Sequence, residues 1–256
     1  LARTSHEFKS PLHGVMHISR SLLEDSRHPL SAEQREKLHL ITNITGRLSQ
    51  LVYDILDFSK LKQGELSIDP APVDVRSAVE TQVRIYSFLC EGSNIRLMNS
   101  VSEHLPYALA DESRFSQIIG NLLDTAVKHT KNGSIVVSAE EKEGMIQVSV
   151  SDTGEGIEEQ NIPHIFEAFQ SFDDTKENRG FGLGLPIVKQ LVELQNGKIS
   201  VTSKRGAGTT FTFTLPVAPA ARGAGAGGKA AAASEQTVHP VKTPEYALET
   251  PYYLNQ

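Results

Sequence analysis

The sequence predicts an α+β chain in which an N-terminal helical hairpin forms a dimeric four-helix bundle and a two-layer α/β sandwich follows it. Three observations lead there. Residues 1–62 hold little Gly or Pro and carry apolar side chains at helical spacing. From residue 65 to residue 217 helix-like and strand-like segments are mixed. From residue 218 to residue 256 the composition turns Ala/Gly-rich and then polar, with Pro and Tyr. The expected units are therefore 1–64, 65–217 and a linker or tail over 218–256, the last unable to bury a core.

In the first unit, Pro11 lies inside the first helix and should bend it one turn after His6, since proline removes a donor and crowds the preceding turn. Ser31 followed by Gln34 is a capping-box signature for the second helix. Leu38, Ile41, Thr45, Leu48, Val52, Ile55, Ser59 and Lys62 then alternate in steps of three and four, and Leu40, Ile44, Leu51 and Phe58 widen the stripe. A helix of about thirty residues reaches roughly 45 Å, too long for the shorter helix before it to cover. The uncovered stripe predicts a homodimer through residues 1–62. Lys62-Gln63-Gly64-Glu65 ends the helix, and Asp69-Pro70-Ala71-Pro72 marks a junction.

In the second unit, residues 75–89, 112–130 and 185–194 read as helices. Residues 134–139 and 145–151 alternate as strands around a Glu143-Gly144 turn, and 198–203 and 209–215 read as two more. Strands beside helices suggest a sheet with one face covered.

Composition narrows the function classes. The 256 residues include 31 acidic and 25 basic side chains, a formal charge of −6, which disfavours nucleic acid and anionic membrane as partners. Cys90 is the only cysteine, so no intrachain disulfide or thiolate metal cluster can form, as suits a reducing compartment. No apolar run approaches the roughly 18 residues that span a bilayer, so this part of the protein is expected in the cytoplasm without membrane contact. The start at Leu1, with no Met and with His6 already inside a helix, suggests a piece of something longer, such as the cytosolic part of a membrane-anchored receptor.

Two glycine motifs carry chemistry. In Asp152-Thr153-Gly154-Glu155-Gly156 a carboxylate at a strand end precedes glycines that let the backbone approach a planar ligand; a plain turn after the strand reads the same way. Gly180-Phe181-Gly182-Leu183-Gly184-Leu185-Pro186 opens a helix whose free N–H groups suit a di- or triphosphate. It is neither a P-loop nor a dinucleotide fingerprint, because no Lys-Ser/Thr follows the glycines and no strand leads into them. Residues 172–179 are polar and charged, as in a lid over a nucleotide or in any surface loop. Asn121, Thr125 and Lys128 share a face of the 112–130 helix, where an amide oxygen suits Mg²⁺ and an ammonium suits phosphate. A solvated stripe would look alike. His13 and His17 follow His6 at helical spacing but lack the cysteines or carboxylates of a metal site.

Taken in order, Ser5-His6-Glu7-Phe8, Asn121 to Thr130, Asp152 to Ile157, Ile165-Phe166-Glu167-Ala168-Phe169 and Gly180 to Leu185 resemble the H, N, G1, F and G2 boxes of sensor histidine kinases. The resemblance covers about residues 1–217. It implies a phosphoacceptor domain followed by an ATP-binding domain of Bergerat (GHKL) type, the group that also holds gyrase and MutL. It further implies that His6 accepts the γ-phosphoryl group of ATP, that Glu7 orients the imidazole, and that Ser10 stands where the family positions water for dephosphorylation. Asn121 would hold Mg²⁺, Lys128 would lie near the phosphates, and Asp152 would accept a hydrogen bond from the adenine amino group. Gly154 and Gly156 would allow close approach; Gly180, Gly182, Gly184 and Leu185 would shape the lid and the phosphate end. The implied partner is a response-regulator receiver domain, fused downstream if the parent is a hybrid kinase. Thr125 departs from the family, which usually has a second Asn there, so a weak nucleotide-binding relay is the competing expectation. An ATPase without histidine transfer is disfavoured by the box around His6.

Overall fold

The computed structural model describes residues 2–25, 28–170 and 181–219, with side chains from Ser10 onward. Helix α1 (Ala2–Glu24) and helix α2 (Ala32–Lys62) form the hairpin. Helix α1 continues through Pro11 without interruption. The predicted capping box is present: Ser31 Oγ accepts the Gln34 N–H at 3.2 Å, and Gln34 Oε1 accepts the Ser31 N–H at 2.9 Å. Such a cap is worth about 1 kcal/mol, because it satisfies donors a helix start otherwise leaves open.

Within the hairpin the buried side chains are small or thin: Met16 and Ser19 from α1, Thr45, Gly46 and Ser49 from α2. Much of the apolar stripe is left outward. Val15, Ile18, Leu22, Leu40, Ile41, Ile44 and Leu48 are each at least 42% exposed in the single chain.

The second unit is built from β1 (Ala71–Val73), α3 (Val75–Leu89), β2 (Asn94–Asn99), β3 (Ala108–Ala110), α4 (Glu112–His129), β4 (Asn132–Lys142), β5 (Met145–Asp152), α5 (Gly184–Leu194), β6 (Ile199–Lys204) and β7 (Gly208–Pro216). Five strands pair in the order β2-β4-β5-β7-β6, with β2 and β4 parallel and the rest antiparallel. β1 and β3 form a separate two-stranded ladder. The predicted Glu143-Gly144 turn takes φ of 53° and 74°, the left-handed pair that matches strand twist in a two-residue hairpin.

The sheet has two unlike faces because Val/Ile and Ser/Thr alternate along its strands. Ile146, Val148 and Val150 of β5 and Phe211, Phe213 and Leu215 of β7 are buried against α3, α4 and α5. On the other face hydroxyls pair across the strands, Ser149 with Thr212 at 3.0 Å and Ser151 with Thr210 at 2.9 Å. The same parity decides where Asp152 goes. It follows Val150 by two residues, so its side chain lies on the helix side and is only 8% exposed.

The two units touch. Phe58 and Leu61 of α2 pack against the core of the sandwich, and the Phe58 ring meets Phe169 edge-on with centroids 6.1 Å apart. The Lys62 ammonium lies 5.6 Å from the Phe58 ring centre. Beside this apolar contact, Gln117 Nε2 of α4 donates to Asp57 Oδ2 of α2 at 2.8 Å. The junction is tied down as well, the Asp69 N–H donating to the Asp111 side chain that caps α4.

Candidate functional site

At the end of β5, Asp152 Oδ1 accepts the Gly154 N–H at 2.8 Å, which folds the chain back over the carboxylate. Burial is the chief cause that raises the Asp152 carboxyl above the usual carboxylate range; the N–H groups of Gly154 and Thr209 and the nearby His129 counter it. One face of this carboxylate is thus fixed by backbone. The glycines are steric requirements: a Cβ on Gly154 would stand 2.2 Å from the His129 carbonyl oxygen, and one on Gly156 (φ 69°) 2.1 Å from the Lys204 carbonyl oxygen. Close packing at this turn, rather than tolerance of a ligand alone, demands Gly at both places.

The turn is stitched to the end of α4. His129 Nδ1 lies 2.7 Å from Glu155 Oε1, and the Glu155 N–H donates to the His129 carbonyl at 3.1 Å. On the far side the Ile157 N–H donates to Ser203 Oγ at 2.8 Å.

Helix α5 begins at Gly184 with Leu183 as its cap, and no side chain caps it. Pro186 has no N–H, leaving Gly184 and Leu185 as free donors at the positive end of the helix dipole. A Cβ on Gly184 would meet nothing nearer than Asn121 Cγ at 4.0 Å, so the helix start opens toward that amide. Gly182 (φ 67°) has no room, its Cβ position being 2.3 Å from the Gln170 carbonyl oxygen, and its own carbonyl accepts the Phe169 N–H at 2.9 Å. Gly180 lies outside the described residues.

On α4 the three predicted residues differ. Asn121 is half-buried, and its side-chain amide makes no hydrogen bond among the described residues. Thr125 Oγ1 donates to the Asn121 carbonyl at 2.8 Å, which turns the hydroxyl back onto its own helix. Lys128 is held by Asp124 one turn earlier. His6 and Glu7 lie in α1, with side chains outside the described residues, and Ser10 is exposed one turn further on.

A second electrostatic feature was not anticipated. Asp54 of α2 sits between the units, and its carboxyl is pushed up to about 6, first by burial and then by the Asp57 and Asp124 charges, while a hydrogen bond from Gln50 and the Lys128 charge pull it down.

Residues 1–64 match the "His Kinase A (phospho-acceptor) domain", and residues 110–219 match the "Histidine kinase-, DNA gyrase B-, and HSP90-like ATPase" family. The two appear on one chain, in the order expected for a phosphoacceptor followed by its ATP-binding partner. The chain belongs to the histidine kinases. It is 39% identical over 218 residues to the "Autoinducer 2 sensor kinase/phosphatase LuxQ" of Vibrio cholerae, covering 82% of this chain and 25% of that protein. With the "Signal transduction histidine-protein kinase BarA" of Escherichia coli it shares 34% identity over 219 residues, 82% of this chain and 24% of that one. The kinase chain thus spans about a quarter of the length of these curated relatives. Among solved structures it resembles full-length ShkA in complex with AMPPNP, with a TM-score of 0.73 and 36% identity over 86% of this chain and 46% of that one.

For the histidine kinase, the structure brings Asn121, Thr125, Gly182, Gly184 and Leu185 into one region where the middle of α4 meets the start of α5, and Asp152, Gly154 and Gly156 into the turn packed on His129 at the C-terminal end of α4. Sequence reasoning missed Asp124, the partner of Lys128, and the His129 to Glu155 pair. The i, i+4 spacing of Asp124 and Lys128 was a usable signal. Nothing local links His129 to Glu155, because their meeting depends on how β4 and β5 return the chain.

Proposed function

We propose that this histidine kinase moves the γ-phosphoryl group of ATP onto His6 and then to an aspartate of a response-regulator receiver domain. The observation that carries the reading is the uncapped start of α5 opening onto the Asn121 amide, on an ATP-binding domain packed against the phosphoacceptor hairpin. Asp152 reads the adenine amino group, since its buried oxygens face a turn in which Gly154 and Gly156 leave no side chain in the way. The Gly184 and Leu185 N–H groups meet the phosphates. Lys128, once it exchanges Asp124 for phosphate, offsets charge there.

A neutral imidazole nitrogen of His6 attacks the γ-phosphorus; the new P–N bond forms as the bond to the bridging oxygen breaks and ADP leaves. Glu7 accepts a hydrogen bond from the other ring nitrogen, which fixes the tautomer and stabilises the charge that develops. The donor set suits Mg²⁺ at Asn121, where the ion would neutralise phosphate charge. Ser10 positions water for attack on the receiver's aspartyl phosphate, releasing inorganic phosphate and the free carboxylate in the phosphatase reaction. The exposed stripe from Val15 to Leu48 buries against a second copy, giving the homodimeric four-helix bundle. Residues 1–217 act in the cytoplasm, without nucleic acid or membrane as partner.

One observation favours a second reading. With its hydroxyl donated to the Asn121 carbonyl, Thr125 is a poor replacement for an amide ligand, as in a nucleotide-binding relay with little turnover. Incubating the chain with Mg²⁺ and γ-labelled ATP separates the two. Acid-labile, alkali-stable label that disappears in His6→Gln supports the kinase; nucleotide binding with no label supports the relay.

A further inference from the structure

Helix α4 has two employments. Its Asn121 faces the start of α5, whereas Gln117, one turn earlier, reaches out of the domain to α2. Gln117 is the middle of a three-membered chain: its Nε2 donates to Asp57 Oδ2 at 2.8 Å and its Oε1 accepts from Arg114 Nη1 at 3.0 Å. An amide bridging a guanidinium and a carboxylate has both ends satisfied, so its orientation is fixed. The contact lies next in sequence to Phe58, whose ring meets Phe169 edge-on.

The register gives the contact a direction. Counted from the turn that joins them, His6 on α1 is level with Gln50 on α2, so Asp54 lies about one helical turn, roughly 6 Å, from the level of His6. Gln117 meets Asp57, and Asp124 and Lys128, two to three turns further along α4, act on Asp54. Helix α4 therefore runs from the Asp57 level toward the His6 level, carrying Asn121 and Thr125 with it.

We propose that Gln117 is a positioning residue for phosphoryl transfer: by bridging Arg114 and Asp57 it sets α4, and with it the phosphate-binding end, against the phosphoacceptor hairpin in the productive orientation. This rests on the kinase reading above. Gln117 touches neither nucleotide nor imidazole; it acts through α4.

The test exchanges the partners. In Gln117→Glu a carboxylate faces Asp57, and the rate of His6 labelling at saturating ATP and pH 8 should fall about tenfold while the Kd for a non-hydrolysable ATP analogue stays unchanged. Adding Asp57→Asn restores an amide opposite a carboxylate, now also facing Arg114, and should return the rate to within about twofold of the parent. Hydrogen exchange across α2 should rise in the single variant and recover in the double. A single variant at the parent rate, a faster one, a double variant that is not rescued, or a loss traced to nucleotide Kd each overturns the proposal. A parent chain that binds nucleotide, keeps α2 protected and does not label overturns the kinase reading and the proposal with it.

Discussion

Thr125 stands where the resemblance leads one to expect a second Asn, and the structure shows what its hydroxyl does instead. Its hydroxyl hydrogen is spent on the Asn121 carbonyl, so the oxygen lies against the helix instead of beside the Asn121 amide. Thr125→Asn should raise the labelling rate several-fold and lower the Mg²⁺ concentration for half-maximal rate, read from initial rates across a Mg²⁺ titration; no change in either would show that Thr125 does not limit activity. Gly154 makes the opposite point. Because a Cβ would come within 2.2 Å of the His129 carbonyl, Gly154→Ala must push the turn away from α4 and should weaken nucleotide affinity at least tenfold, measured by calorimetry with a non-hydrolysable analogue. Single residues were largely legible in the sequence where their chemistry is local. Asp152, Gly154 and Gly184 could be named because a strand end and a helix start are readable from pattern. The occupancy of Lys128 by Asp124 and the inward turn of Thr125 were not, since a rotamer is chosen by its surroundings.

Among the elements, α2 and the strands of the central hairpin are clear in the sequence, because capping box, heptad-like stripe and Val/Ser alternation all agree. Strands β1, β2 and β3 were not read. β1 and β3 are three residues each, too short for a period to declare itself, and β2 pairs in parallel with β4 across an intervening strand and helix. The contact between α2 and α4 is equally invisible, with Asp57 and Gln117 sixty residues apart. Beside that contact lies a buried carboxyl, Asp54. Asp54 is raised from 3.8 to about 6 where Gln50, Asp57, Asp124 and Lys128 surround it, so its contribution to docking is full below about pH 4 and is lost as pH climbs through about 6. Hydrogen exchange along 54–62, corrected for intrinsic rates, should therefore show more opening at pH 8 than at pH 5. Asp54→Asn should flatten that difference and protect the segment at pH 8; an unchanged pH profile would remove Asp54 as its cause.

For the whole molecule, the unpaired stripe on the hairpin and the closed core of the sandwich predict separable behaviour. Ile44 is 57% exposed in the single chain and stands in the middle of that stripe. Ile44→Glu would place a charge at the centre of the four-helix seam, where it should convert a dimer to a monomer in sedimentation velocity while leaving nucleotide affinity within about twofold. A dimer that persists would place the self-association elsewhere. Division of the chain into these two parts was legible from composition and periodicity, whereas their mutual packing was not, because Phe58 and Leu61 look like any other members of the helical stripe.

The double duty of α4 carries a thermodynamic obligation. One face of α4 meets α2 and another the start of α5, and if the nucleotide sits there the two equilibria are reciprocal: by whatever factor the nucleotide tightens or loosens the grip of α4 on α2, that grip must change nucleotide affinity by the same factor. ATP and its product ADP differ only in the phosphate that would lie nearest the Asn121 and Lys128 end of the helix. An analogue Kd that is unchanged in Gln117→Glu would mean, by the same reciprocity, that the analogue leaves the docking of α4 on α2 unchanged, and that only a ligand whose affinity responds to this contact can move the hairpin.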